Sequence, residues 1–214
     1  MYMDLSSRGG APAPLRAPLI GTHDLRTYDR GAAGRAAVET FIAAVFAERY
    51  GARVEHFAPV LLALHDDSDG RVAAAAGYRP ASDGPLYLER YLARPIQQLL
   101  SSASGSAVAR ADIVEVGHLA AGRTGQGRQL MLQLGRHLQA AGTQWVASTM
   151  TAELHGLFAR WGIEPLALGR AEPEALGDEA RLWGSYYAHR PRVLAGALAP
   201  AVARLARRAV RGQS

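Results

Sequence analysis

Residues 112–138 read DIVEVGHLAAGRTGQGRQLMLQLGRHL, and this stretch decides the fold. Ile113, Val114 and Val116 form a β-branched run that predicts a short strand. Gly122, Gly125 and Gly127 punctuate a turn. Leu130, Leu134 and Leu138 then recur at helical spacing, with Met131 beside them and Arg128, Gln129, Gln133 and Arg136 between them. A helix N-terminus has unpaired N–H groups and the positive end of the dipole. Glycines just before it let a phosphate reach the backbone. The stretch therefore predicts a pyrophosphate site for a nucleotide-bearing ligand.

Two common phosphate motifs are excluded. A Walker A loop needs Lys followed by Ser or Thr, and all 24 basic residues of this chain are Arg. A dinucleotide fingerprint needs an acidic residue about 20 residues beyond the glycines. The next strand candidate, Gln144 to Thr149, holds neither Asp nor Glu.

Working outward, Ala36 to Tyr50 predicts a helix burying Val38, Phe41, Ile42, Val45 and Phe46. Val60 to His65 and Val72 to Tyr78 predict two strands joined by the acidic turn Asp66–Gly70. That turn lacks the spacing and the closing Glu of a calcium loop. Leu86 to Leu92 is a short apolar segment before a helix from Pro95 to Ser102. Trp145 to Thr149 predicts a strand, Ala152 to Trp161 a helix closed by Gly162, and Leu182 to Tyr187 a late strand. In the tail Val193 to Arg211, Leu194, Leu198, Val202 and Leu205 follow helical spacing. The order predicts a mixed α/β sheet with helices on both faces.

The 214 residues suit one domain of ordinary size. The Gly-, Pro-, Ala- and Ser-rich residues 1–20 predict a disordered N-terminus. Residues 21–196 are read as the domain and 197–214 as a basic helix or tail. The net charge is +5, and Arg204, Arg207, Arg208 and Arg211 supply four of the charges. The rest of the chain is close to neutral, which argues against a nucleic-acid-binding face. The tail is read as a docked helix, with peripheral contact to anionic lipid as the alternative. No apolar run is long enough to span a bilayer and no signal sequence is visible, so a cytoplasmic protein is expected. There are no cysteines, and no metal site is expected.

The turn Gly122-Arg123-Thr124-Gly125-Gln126-Gly127 resembles the CoA pyrophosphate loop of the GNAT acyltransferases, with Gly122 standing where Gln or Arg is usual. Arg123 or Arg128 is expected to supply the missing charge. Five further pieces match in order and spacing: Glu39 to Ala52, Leu86 to Leu92, Ile113 to Ala120, Trp145 to Thr151 and Trp183 to Tyr187, followed by Pro191 and Gly196. With them the chain resembles the thermostable hemolysin family, a GNAT-like group related to the acyl-homoserine-lactone synthases. His118 departs from that pattern, where Asn is usual.

The resemblance implies a GNAT-like, mostly antiparallel sheet with a splayed central strand pair. It implies an N-acyltransferase with acyl-CoA or acyl-phosphopantetheine as co-substrate and no permanently bound cofactor. The donor is expected to be a fatty acyl group, delivered by CoA or an acyl-carrier protein, and the acceptor an amine-bearing small molecule. A membrane-active protein and a non-catalytic GNAT-shaped binding module are the alternatives. Glu115, a carboxylate in an apolar strand, is the candidate general base, since burial raises its pKa. Its structural alternative is pairing with Arg110. His118 is expected to share the base role if a bulge at Gly117 turns it to the same cleft. Glu89 is the candidate contact for the acceptor amine, and Tyr187 or Tyr186 the acid for the leaving thiolate. The backbone at Leu119 and Ala120, with Gly122, Arg123, Gly125, Gly127 and Arg128, is expected to hold the cofactor. Thr149, Thr151 and Tyr91 are expected to bind the substrate, while Trp145 and Trp161 are read as core.

Overall fold

The computed structural model describes residues 24–123 and 125–211, with side chains through residue 208. The expectations for residues 1–20, for Thr124 and for the last three residues lie outside the described residues. Among the described residues, seven strands form one sheet in the order β1-β2-β3-β4-β5-β7-β6. They are β1 (Asp24–Tyr28), β2 (Val60–His65), β3 (Val72–Pro80), β4 (Ile113–Ala121), β5 (Trp145–Met150), β6 (Leu166–Arg170) and β7 (Arg192–Ala197). Only β4 and β5 run parallel, joined by a helical crossover. Every other neighbouring pair is antiparallel.

The helices cover both faces, which is why β2 and β3 read as continuous apolar runs rather than alternating ones. On one face, α3 (Gln126–Ala140) and α5 (Leu198–Arg211) lay Leu130, Leu134, Leu138, Leu198 and Val202 over Leu62, Leu64, Ala74, Ala76, Val114 and Val116. On the other, α1 (Arg35–Tyr50) packs Val38, Ile42 and Phe46 onto Leu61, Ala63 and Ala75. Further along that face, α2 (Ile96–Ser104) sets Ile96 and Leu100 beside Ile113, Ala147 and Val193. The short helix α4 (Ala152–Arg160) follows β5 and is capped by the Thr151 hydroxyl, which accepts from the Leu154 N–H at 3.3 Å. Buried Arg35 is satisfied by the Tyr28, Ala58 and Pro59 carbonyls and by Glu39, so it locks the start of α1 to the sheet edge.

Three expectations need correcting. Leu182 to Tyr187 is not a strand. Pro173–Trp183 and Tyr186–His189 are 3₁₀ segments, and the late strand is β7. The Trp/Tyr content mimics β-propensity, but Gly184 turns the chain at φ 52° and the rings pack as an aromatic wall. The tail helix begins at Leu198 rather than Val193, because Leu194 belongs to β7 and only coincides with the helical period. Arg110 pairs with Glu89 and not with Glu115.

The segment after Trp183 is clasped to the end of α1. The Ser185 N–H donates to the Tyr50 carbonyl at 2.8 Å, and the Arg53 N–H to the Leu182 carbonyl at 2.6 Å. A Cβ at Gly184 would lie 2.1 Å from the Tyr50 oxygen, whereas one at Gly51, also at positive φ, would meet nothing within 4 Å. Gly184→Ala is therefore expected to cost at least about 2 kcal/mol, and Gly51→Ala about 1 kcal/mol of left-handed strain alone. Urea unfolding of the two variants checks the difference.

Candidate active site

The ladder between β4 and β5 covers only Ile113↔Trp145, Val114↔Val146 and Glu115↔Ala147. Beyond it the strands part. On its other edge β4 keeps its partner β3, but the register slips, so that His118 and Leu119 together oppose Ala76. His118 takes φ 54° at this bulge. The parted strands open a cleft of about 930 Å³. Glu115, His118, Leu119, Ala120, Gly122, Arg123, Gly125, Gly127, Arg128, Thr149, Thr151 and Tyr91 all line it. Glu89 and Tyr187 do not.

At one end lies the glycine turn. Gly125 sits at φ 93°, a conformation that favours glycine. A Cβ at Gly127 would touch only Ala121, at 3.6 Å. Gln126 folds its side-chain oxygen back onto the Arg123 N–H at 2.8 Å, which holds the turn against the helix start. Arg123 and Arg128 form no ion pair among the described residues and face the cleft.

At the other end stands Glu115. Its two oxygens accept from the backbone N–H groups of Tyr87 at 2.8 Å and Leu88 at 3.0 Å. Burial raises its pKa above the usual carboxylate range, and the two N–H bonds and the charge of Arg79 only partly offset this. The carboxylate is thus fixed in place and still has lone pairs for a further donor.

His118 is a neutral ring. Burial brings its pKa down to about 4, against a small upward pull from the His56 carbonyl. Nε2–H donates to that carbonyl at 3.1 Å, because a carbonyl can only accept. That assigns the lone pair to Nδ1, which is buried without a partner. Phe46 and Phe57 flank the ring.

Glu89 lies outside the cleft lining and is engaged by other partners. Its oxygens take a two-pronged contact from Arg110 at 2.7 and 3.0 Å, together with the N–H groups of Leu86 and Ile96. Burial would raise the carboxyl, but these four donors outweigh it and hold the pKa at about 2. Tyr187 stands behind Tyr91, the two hydroxyls 2.7 Å apart, and burial lifts both above the ordinary phenol range. Tyr186 donates to the Thr149 carbonyl at 3.1 Å. The Thr151 hydroxyl caps α4 by accepting from the Leu154 N–H and still has its own O–H to donate.

Several cleft residues escaped the sequence reading: Tyr50, His56, Arg79, Tyr87, Ser148 and Trp183. Tyr50 and Trp183 lay within segments that carried the family resemblance. Ser148 also lay within such a segment, Trp145 to Thr151, whereas Arg79 had no local signal, because only strand pairing brings it to the site. No group of three or more His, Cys, Asp or Glu among the described residues could hold a metal ion.

The fold is similar to that of solved acyl-homoserine-lactone and N-acyl amino acid synthases. The acyl-homoserine-lactone synthase LasI superposes with a TM-score of 0.57 at 17% identity, covering 83% of this chain and 91% of LasI. BjaI, a CoA-dependent acyl-homoserine-lactone synthase solved with SAM and isopentyl-CoA, gives 0.56 at 16% identity, covering 86% and 88%. FeeM, an N-acyl amino acid synthase from uncultured soil microbes, gives 0.56 at 10% identity, covering 85% and 98%. At these identities the likeness establishes the fold. In sequence, the thermostable hemolysin family model matches residues 28–202, and the chain belongs to that family. No curated protein matches it in sequence.

The placement of Glu89 yields a stability prediction. A carboxyl whose pKa is depressed by folding contributes stability above its unfolded pKa of about 4.3, and loses it as pH falls towards the folded value. That folded value is about 2. Glu89→Gln should lower the urea midpoint at pH 7. The gap from the wild type should close as pH drops from about 4 to about 2, the window set by these two pKa values.

Proposed function

We propose that the protein is an N-acyltransferase that moves an acyl group from acyl-CoA or an acyl-carrier protein to an amine. The parting of β4 and β5 carries this reading, since it forms one cleft from the glycine turn at the α3 N-terminus to the fixed carboxylate of Glu115. In this reading the donor pyrophosphate lies on the turn, facing Arg123 and Arg128 and the first backbone N–H groups of α3. The pantetheine threads between the strands beside Leu119, Ala120 and Thr149. The thioester then sits near Glu115. The amine nitrogen attacks the thioester carbon and gives its proton to Glu115. The C–S bond breaks, and the thiolate takes the proton back. His118 stays neutral well above pH 4 and, with Nδ1 buried against Gly77, forms part of the cleft wall rather than sharing the base role. Tyr91 lines the cleft with Tyr187 behind it, so this pair positions substrate, and the acid step falls to Glu115.

The donor is a fatty acyl group of medium length. Behind the parted strands lies a cavity of about 70 Å³, lined almost wholly by apolar side chains from α3, β5, β7 and α5. Val116, Leu119, Met131 and Ser148 line both this cavity and the cleft, so a chain leaving the thioester has a dry continuation. The membrane-active alternative has less support. The apolar residues Leu198, Val202 and Leu205 of α5 are buried against the domain and are not free to enter lipid. No described helix is long and apolar enough to cross a membrane.

Thiol release from a panel of acyl-CoAs and acyl-carrier proteins, with amines as acceptors, tests the reading; silence with every pair would defeat it. Glu115→Gln should lower kcat roughly a hundredfold or more. It should also remove the acid limb of the pH profile, whose inflection is expected above the ordinary carboxylate pKa because burial raises it. Gly127→Val should fold yet lose CoA affinity in calorimetry, because a Cβ at this position meets only Ala121 inside the protein. Val146→Phe, which narrows the apolar cavity, should shift donor preference towards shorter chains.

A further inference from the structure

Acyl transfer as set out above leaves Arg79 without a task. This residue stands on β3 directly opposite Glu115. Opposed residues of an antiparallel pair project from the same face of the sheet, with Cβ atoms roughly 5 Å apart. Arg79 is half-buried and lines the cleft. Its guanidinium makes a single hydrogen bond, from Nη1 to the Pro85 carbonyl at 3.2 Å. Among the described residues it has no ion-pair partner, and its charge is felt at both Glu115 and His118.

Arg123, Arg128 and Arg160 also line the cleft without an ion pair among the described residues, but Arg79 alone stands opposite Glu115, and four other arginines are committed. Arg110 holds Glu89, Gln97 and two carbonyls. Arg90 pairs with Glu179, Arg49 with Glu153 and Arg53 with Glu55. A guanidinium carries five donors, and drawing it half out of water with one partner is costly unless something else accepts. Glu115 is not that acceptor, because among the described residues no hydrogen bond or ion pair joins its carboxylate to Arg79, whose one bond goes to the Pro85 carbonyl. The acceptor end of the cleft therefore offers two recognition elements on one face: a fork of free N–H donors and a fixed carboxylate. Tyr87, Tyr91 and Trp183 line the same region.

We propose that the acyl acceptor is an amino acid, its carboxylate gripped by Arg79 and its amine directed at Glu115. The inference rests on the acyl-transfer reading. The amine nitrogen bonds to the thioester carbon and the C–S bond breaks. One amine proton passes through Glu115 to sulfur, and the products are an N-acyl amino acid and a free thiol. Arg79 takes no part in the bond changes. It selects acceptors by their negative charge through a charge-assisted contact.

The test uses the full chain saturated with a non-transferable thioether analogue of octanoyl-CoA. The standard L-amino acids are screened for thermal stabilisation, and the strongest is titrated calorimetrically beside its own carboxamide. The wild type should bind the amino acid at least tenfold more tightly than the carboxamide. Arg79→Gln should erase that preference while leaving carboxamide affinity within about twofold, which also shows that the variant is folded; Arg79→Lys should restore part of it. The proposal is overturned if no amino acid binds, if the wild type does not distinguish the two forms, or if Arg79→Gln weakens both equally. The wild-type comparison needs no variant and stands if Arg79→Gln fails to fold. Thiol release is measured separately. Amino-acid binding through Arg79 without release from any donor would remove the acyl-transfer reading and keep the carboxylate site. Release with amines regardless of carboxylate would keep the reading and remove this proposal.

Discussion

The cleft depends on a sheet that is deliberately incomplete at its centre. Buried backbone groups need partners, and β4 and β5 find them in each other for only three residue pairs. Each strand then continues with a partner on its outer edge alone, β3 for β4 and β7 for β5. The bulge at His118 follows just beyond the end of that ladder, and an extra residue in one strand bends it and increases its twist. The inner edges left facing each other are main-chain donors and acceptors lining a channel. An amide-bearing chain such as pantetheine matches that lining better than a purely apolar ligand does.

Two glutamates with opposite surroundings hold this geometry. Glu89 is bound by Arg110 and by the N–H groups of Leu86 and Ile96, which pins the 3₁₀ segment Tyr87–Tyr91 between β3 and α2. That segment in turn presents the N–H groups of Tyr87 and Leu88 to Glu115. The low-pKa carboxylate is thus the scaffold on which the high-pKa one is positioned. Separating the pKa values of neighbouring carboxyls by environment is the usual way a fold divides structural from reactive roles.

Much of this was legible in the sequence. The strand, glycine turn and helix of residues 112–138 stand where their pattern placed them, because β-branched content, glycine spacing and a leucine stripe all agree there. The bulge near Gly117 was readable from the glycine. What could not be read came from pairings distant in sequence. The Arg110–Glu89 ion pair spans 21 residues and displaced the expected Arg110–Glu115 pair. β6 and β7 lie in segments whose local pattern is weak or mimics a helix. Arg79, in the unassuming run Tyr78-Arg79-Pro80, acquires meaning only through its register with Glu115.

The clasp between α1 and the Trp183–Tyr186 segment sets an order of events as well as a shape. The Ser185 hydroxyl reaches the Tyr50 carbonyl across 135 residues of chain. A contact closing so long a loop is entropically late to form. The strands and α3, paired by the sheet ladder and the core, are expected to form before this clasp closes. The aromatic wall is also the first part to come away, because it is tied by a few loop hydrogen bonds rather than by the sheet ladder. Amide exchange should accordingly be faster along residues 173–189 than in β3 and β4, so the aromatic wall is the part of the cleft that can open without breaking the sheet.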